Sequence, residues 1–70
     1  MITEGCQVTV IPSSELTELK LDGLLGKTGF VLEDLTDPVR KIKGYMVLFP
    51  NTFQNEFLWF IPQNSAYEQI

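Results

Sequence analysis

The side chains that carry out most enzyme chemistry are sparse in this chain. Histidine is absent and Cys6 is the single cysteine. A serine or cysteine nucleophile needs a neighbouring base, and without an imidazole that base has to be a lysine or a carboxylate. The residue spacing suggests no such pair, and one cysteine cannot complete a thiolate or imidazole zinc site. We therefore predict a protein that is not an enzyme and that holds no metal or cofactor.

Two short segments have residue types that bind charged ligands. Glu33, Asp34 and Asp37 cluster in "EDLTD", but they lack the glycine and the regular ligand spacing of a calcium loop, so we favour a solvated acidic loop. The "GKT" of residues 26–28 lacks the five-residue lead and the following helix of a phosphate-binding loop. The glycines of the surrounding segment "GLLGKTG", residues 23–29, are expected to serve a turn with positive φ.

Length and composition indicate one small domain that covers residues 1–70. Hydrophobic residues make up 44% of the chain and charged residues 20%, which fits a folded domain. A lone cysteine is more often buried than redox-active, and it favours a reducing compartment. The apolar runs fall far short of the ~20 residues that a membrane helix needs, and no signal peptide is visible. We expect a cytoplasmic protein without a membrane segment.

The charges are unevenly distributed. The net charge is −4, from nine acidic and five basic residues, which argues against a general phosphate-binding surface. Three of the five basic residues, Arg40, Lys41 and Lys43, fall within "RKIK". One end of the molecule is therefore expected to be locally positive, and contact with nucleic acid remains an alternative there.

The sequence predicts an all-β fold. "CQVTVI" alternates apolar and polar residues as a half-buried strand does. The following excursion, residues 13–26, is too short and too rich in glycine for more than a helical turn or two, and we expect Leu16, Leu19 and Leu24 to pin it. The remaining predicted strands are "FVLEDL", "YMVLF", "FLWFI" and "YEQI". The segment "PNTFQNE" is predicted to be the hairpin loop between "YMVLF" and "FLWFI".

The hairpin of residues 45–61 is apolar on both faces. We expect Trp59 at the centre of the inner face, opposite Val47. The outer face is then either exposed as a contact site or covered by the leucines of the excursion. The inner set is Tyr45, Val47, Phe49, Phe57, Trp59 and Ile61, and the outer set is Met46, Leu48, Leu58 and Phe60.

The segment "FIPQN", residues 60–64, resembles the end of an SH3 domain, in which such a sequence leads through a 3₁₀ turn into the last strand. The resemblance implies a five-stranded antiparallel SH3-like barrel with a long first loop. SH3 domains bind proline-rich peptides between aromatic side chains. This chain has no "ALYDY" segment, Ser65 stands in place of the second tyrosine, and Tyr67 is displaced by two residues. We therefore do not expect polyproline binding.

The first half of the chain resembles a KOW-type barrel. The matching segments are residues 8–11, "VTVI", and residues 26–31, "GKTGFV", with an insertion between them. This resemblance implies contact with RNA or with a ribosomal or transcription partner. The alternative hypothesis is therefore a nucleic-acid-associated barrel that uses the 40–43 loop through Arg40, Lys41 and Lys43 with nearby Tyr45.

The preferred hypothesis is a non-catalytic SH3-like interaction module. It binds a protein partner or a second copy of itself through the outer face of the 45–61 hairpin. An accessory subunit of a larger enzyme is a further alternative. The partner-binding residues are predicted to be Met46, Leu48, Leu58, Phe60 and Pro62.

Overall fold

The structure, a computed structural model, describes residues 2–69. Five strands, one short helix and two 3₁₀ turns make up this part of the chain. Ile70, the last residue of the predicted strand "YEQI", lies outside the described residues. The elements are β1 (Gln7–Val10), α1 (Ser14–Glu18), a first 3₁₀ turn (Asp22–Leu24), β2 (Thr28–Leu35), β3 (Gly44–Phe53), β4 (Glu56–Pro62), a second 3₁₀ turn (Gln63–Ser65) and β5 (Ala66–Glu68).

The strands form one antiparallel sheet in the order β4-β3-β2-β1-β5. This confirms the all-β class, the five antiparallel strands and the 3₁₀ turn before the last strand. The sheet is not closed into a barrel, because β4 and β5 stand at its two ends without pairing. The fold is therefore an open, curled sheet with two strand edges.

The β3–β4 hairpin pairs in the predicted register near its base. Successive side chains of a strand point to opposite faces, so this register decides which apolar residues enter the core. The paired residues are Gly44–Pro62, Tyr45–Ile61, Met46–Phe60, Val47–Trp59 and Leu48–Leu58.

The far end of the hairpin differs from the prediction. The regular ladder stops at Leu48 and resumes at Phe53, so that residues 49–52 of β3 stand opposite Phe57 alone. Phe49 and Phe57 are consequently not partners. Phe49 is buried, whereas Phe57 is 49% exposed, so the prediction that Phe57 belongs to the inner core is wrong.

The hairpin loop is also shorter than predicted. β3 continues to Phe53 and β4 begins at Glu56, which leaves only Gln54 and Asn55 between the strands. Both have positive φ, 51° and 67°, as a type I′ turn requires. Asparagine adopts this conformation at little cost, but glutamine does not, and "QN" was therefore not recognised as a turn.

Three leucines of the excursion, Leu16, Leu21 and Leu24, enter the inner core. They do not cover the outer face (Met46, Leu48, Leu58 and Phe60), so the alternative in which the excursion folds over that face is wrong. The core is one cluster that contains Val8, Val10, Leu16, Leu21, Leu24, Val31, Tyr45, Val47, Phe49 and Ile61.

Leu21 takes the place in the core that the sequence assigned to Leu19. α1 ends at Glu18, and Lys20 has a left-handed φ of 59° that turns the chain just after Leu19. Leu19 is therefore 42% exposed, whereas Leu21 is buried. The spacing of the leucines in the sequence did not indicate that Leu21 would be buried and Leu19 exposed.

A hydroxyl pair anchors the excursion to the other end of the chain. The Ser13 hydroxyl accepts a hydrogen bond from the Leu16 N–H at 3.1 Å and so caps α1. It also lies 2.5 Å from the hydroxyl of Ser65, which is fully buried. Ser65 thus has a structural role here.

Trp59 lies at the rim of the core. The prediction that it is buried at the centre is wrong, because its ring is only partly buried and packs edge-on against Phe53 with centroids 5.5 Å apart. Its indole N–H donates to the carbonyl of Glu56 at 3.1 Å. The bulge in β3 brings Phe53 to this side of the hairpin, where the two rings close one end of the core.

Burial predicts different results for two leucines of the excursion. Leu16 is fully buried and Leu19 is 42% exposed. We expect Leu16→Ala to lower the free energy of unfolding by about 2–5 kcal/mol, and Leu19→Ala by less than about 1 kcal/mol. Urea unfolding followed by tryptophan fluorescence measures both values. Equal losses would show that the excursion is not packed as described.

The hairpin turn offers a stabilising substitution. Asn-Gly is the favoured type I′ sequence, so Gln54→Asn with Asn55→Gly should raise the free energy of unfolding by about 0.5–1 kcal/mol. Gln54→Val is the control, and it should lower that free energy because a β-branched residue is strained at positive φ. Thermal unfolding of the three proteins tests this turn, and an Asn-Gly variant that melts below the wild type would contradict it.

Candidate interaction surface

An apolar row crosses the outer side of three strands. Phe30 of β2 lies directly opposite Leu48 of β3, which lies directly opposite Leu58 of β4. Their side chains are 50%, 39% and 42% exposed, respectively. Neighbouring strands lie ~4.8 Å apart, so the three side chains form one continuous apolar strip. Phe30 extends the predicted outer face by one strand.

A second row borders this strip. Met46 and Phe60 are half-buried and lie opposite each other, with the exposed Glu33 of β2 next in line. A register shift between Val31 and Glu33 adds Leu32 as an extra residue, and its side chain is also exposed. The surface therefore has an apolar centre with a carboxylate beside it.

Phe60 rests on a glycine. A Cβ atom at Gly44 would lie 2.6 Å from Cζ of Phe60, so only glycine leaves room for this ring. The Arg40 guanidinium stands 6.0 Å from the centre of the same ring, within the range of a cation–π contact. The predicted protein-binding set and the predicted nucleic-acid-binding set therefore meet at Phe60.

Two predicted site residues are not at the surface. Pro62 and Tyr45 are both buried, Tyr45 within the inner core. The expectation that Pro62 offers surface is therefore wrong, and the ring of Tyr45 is not placed to stack on a base. Met46, Leu48, Leu58 and Phe60 do lie together on the outer face.

The basic loop connects β2 to β3. Within residues 2–69, the hydrogen bonds of its cations go to main-chain carbonyls rather than to carboxylates. Arg40 Nε donates to the Ile42 carbonyl at 3.3 Å, and Lys43 Nζ donates to the Arg40 carbonyl at 3.4 Å. Lys41 is exposed. The loop therefore keeps its positive charge available to a partner.

A cleft of about 250 Å³ lies between this loop, α1 and the second 3₁₀ turn. Lys41 and Lys43 line one side and Glu15 the other. A hydrogen bond from its own backbone N–H holds the pKa of Glu15 below its ordinary value, and the Asn64 amide at 3.4 Å acts in the same direction. The cleft thus carries fixed charges of both signs.

The other segments with ligand-binding residue types make local contacts. The Asp34 carboxylate accepts from the Thr36 N–H at 3.0 Å and from its hydroxyl at 2.6 Å, and Asp37 accepts from the Val39 N–H at 3.3 Å. These bonds order the β2–β3 turn. Among residues 2–69, no group of three or more acidic or cysteine side chains is placed to hold a metal ion.

Gly26 and Cys6 likewise serve the fold. Gly26 has a φ of 80°, and its N–H donates to the Val10 carbonyl at the turn into β2, as expected of a turn glycine. Cys6 is half-buried, with its Sγ 3.3 Å from the Thr3 hydroxyl. Its thiol also donates to the Glu68 carboxylate, with Sγ 3.9 Å from Oε2.

Comparison with protein-family models, with curated proteins and with solved structures finds no match for this chain. Within residues 2–69, none of the helical segments has the length and apolar character needed to cross a membrane.

The sequence missed two residues of this surface. Phe30 was assigned to a strand, but its outward direction follows from its place opposite Leu48. Gly44 was assigned to the end of a turn, whereas in the structure the Phe60 ring packs directly over it. The available signal was the place of Gly44 at the base of the predicted hairpin, on the same face as Met46 and Phe60. The assembled surface can bind by apolar contact, with one cation held at its border.

Burial of Tyr45 predicts a pH dependence of stability. Desolvation raises the pKa of its phenol above the ordinary value, and the charge of Asp34 opposite adds to this effect. The neutral phenol is therefore favoured in the folded state. Its contribution is complete below pH ~10, the ordinary tyrosine pKa, and is lost as the pH rises through the folded-state pKa.

We expect the wild type to lose more stability than Tyr45→Phe when the pH is raised from about 8 to about 11. The variant keeps the ring but cannot ionise. Urea midpoints at the two pH values measure the difference. Parallel losses in the two proteins would show that Tyr45 does not titrate from a buried position.

Proposed function

We propose that this protein is a non-catalytic, SH3-like interaction module that binds a protein partner or a second copy of itself through its outer face. The observation that supports this proposal is the exposed row of Phe30, Leu48 and Leu58 across three strands. The outer face thus consists of Phe30, Met46, Leu48, Leu58 and Phe60.

The energetics of exposure favour a partner. Contiguous apolar patches of a few hundred Å² often mark contact sites on small soluble proteins. Full burial of a leucine or phenylalanine side chain stabilises by about 1.5–3 kcal/mol. The excursion does not supply this cover, because its buried leucines, Leu16, Leu21 and Leu24, lie in the inner core. A second chain would supply it.

The border of the face provides specificity. Glu33 lies in line with Met46 and Phe60, and Arg40 stands over the Phe60 ring. An apolar centre within a polar rim is the usual arrangement of protein interfaces. Charges at the rim select partners and accelerate association more than they add affinity.

The nucleic-acid alternative has weaker support. Three cations lie in one loop, but the net charge is −4 and Tyr45 is buried. Binding to phosphates would depend on Arg40, Lys41 and Lys43, and it would weaken steeply with salt. An accessory role in a larger enzyme is compatible with the same apolar face.

Two matched pairs of leucines test the proposal. Leu48 and Leu58 on the face are 39% and 42% exposed, and Leu25 and Leu19 on the excursion are 40% and 42% exposed. We expect Leu48→Thr with Leu58→Thr to remain folded, with an unfolding free energy within about 1 kcal/mol of wild type, and to lose association. Leu25→Thr with Leu19→Thr should keep it.

Association is measured by sedimentation of the purified proteins over a concentration series, and by co-purification from the native host. A face variant that keeps every association of the wild type would contradict the proposal. Retention on heparin that is lost with salt and with Lys41→Glu and Lys43→Glu would favour the nucleic-acid alternative instead. Phe60 is left unchanged, because its ring also covers Gly44.

A further inference from the structure

β4 is an unprotected edge of the sheet. It pairs with β3 on one side only, and among the described residues no backbone bond from another element engages residues 56–61 on the other side. Proteins usually protect such edges with lysine, proline, bulges or very short strands. β4 is seven residues long, "EFLWFIP", with its one proline at the end. An exposed edge of this length accepts a further strand.

The hydrogen-bond pattern shows which groups point outward. The Gln63 N–H donates to the Lys43 carbonyl at 2.9 Å, which continues the β3–β4 ladder by one pair beyond Gly44–Pro62. Bonded and non-bonded pairs alternate in an antiparallel ladder, so Trp59 and Ile61 direct their backbone groups to β3. Leu58 and Phe60 consequently direct theirs away from the sheet.

We propose that the partner is a second copy of this chain, joined by antiparallel pairing of the two β4 edges into one continuous sheet. The proposal goes beyond the proposed function, because edge pairing joins backbone groups and leaves the outer faces uncovered. The outer faces of both copies then lie side by side on one surface of the extended sheet.

A register centred on Trp59 bonds the outward groups of Leu58 and Phe60. Leu58 of each copy pairs with Phe60 of the other, and both N–H and both C=O groups of each pair are bonded. The two-fold axis then passes between the two copies of Trp59. A register that places Leu58 opposite Pro62 loses a bond, because proline has no N–H. The Trp59-centred register is the one we propose.

The charges at the two ends of β4 agree with antiparallel pairing. Glu56 begins the strand, and Arg40 stands over Phe60 near its other end. In the proposed register, Glu56 of one copy lies opposite Pro62 of the other. Pro62 is two residues from Phe60, and the Arg40 guanidinium stands over the Phe60 ring. Each end thus meets the opposite charge. Parallel pairing, or an unrelated apolar strand, would lack this complementarity.

The backbone amide of Leu58 provides the sharpest test, because its replacement by an ester removes the outward donor and keeps the side chain. We expect a protein whose urea midpoint, measured at concentrations where the wild type is monomeric, is unchanged and whose dimer dissociation constant is raised about tenfold to a hundredfold. The matched control is an ester at Trp59, whose donor lies in the β3 ladder. It should lower the urea midpoint and leave dimerisation of the folded protein unchanged. Chemical synthesis of the full chain supplies both proteins.

A charge exchange gives an independent measurement. Glu56→Arg or Arg40→Glu alone should raise the dimer dissociation constant about two- to thirtyfold, and the two together should restore it. In a dimer of isotope-labelled and unlabelled chains, an NOE between the Hα atoms of the two copies of Trp59 is expected, because non-bonded pairs bring these atoms close.

The outcomes separate this inference from the proposed function. A Leu58 ester that dimerises like the wild type, or a wild type that stays monomeric near its solubility limit, overturns the β4 pairing. The proposed function then stands if the outer-face variant still loses a captured protein partner. If the outer-face variant loses nothing, the proposed function fails, and the β4 pairing is then decided by the Leu58 ester alone. Charge exchange that does not restore dimerisation overturns the register.

Discussion

The period of two in a strand is the constraint on which the rest of this structure depends. The β3–β4 hairpin is apolar at consecutive positions, so any register buries one apolar face and presents another. A chain of 70 residues has one long excursion with which to cover them, and Leu16, Leu21 and Leu24 cover the inner face. The row of Phe30, Leu48 and Leu58 on the outer face stays exposed, because the excursion packs against the other face.

The sequence predicted those features that depend on local pattern. The hairpin register followed from alternation, and the second 3₁₀ turn followed from "FIPQN". It did not predict features that depend on a single unusual backbone angle. Gln54 in a left-handed conformation shortens the hairpin loop. Lys20 in the same conformation turns the chain so that Leu21, and not Leu19, is buried in the core. Neither residue type favours that conformation, so tertiary packing decided both.

Part of the candidate surface could likewise be predicted. Met46, Leu48, Leu58 and Phe60 share a face because their numbers differ by an even count within paired strands. Phe30 could be added only when the β2–β3 register was known, because a bulge at Leu32 shifts that ladder. The contact of Arg40 with Phe60 depends on how the eight-residue connection of residues 36–43 folds back, and no local pattern encodes it.

The three-residue length of β5 has a consequence for polymerisation. A sheet with two different open edges can in principle add copies head to tail, β4 to β5, and such contacts repeat without closing. β5 spans only Ala66–Glu68, and the Ala66 N–H already donates to the Gln63 carbonyl. It therefore offers few bonds to a growing filament. The short last strand favours a closed pair over a fibre, in a protein whose other edge is long and apolar.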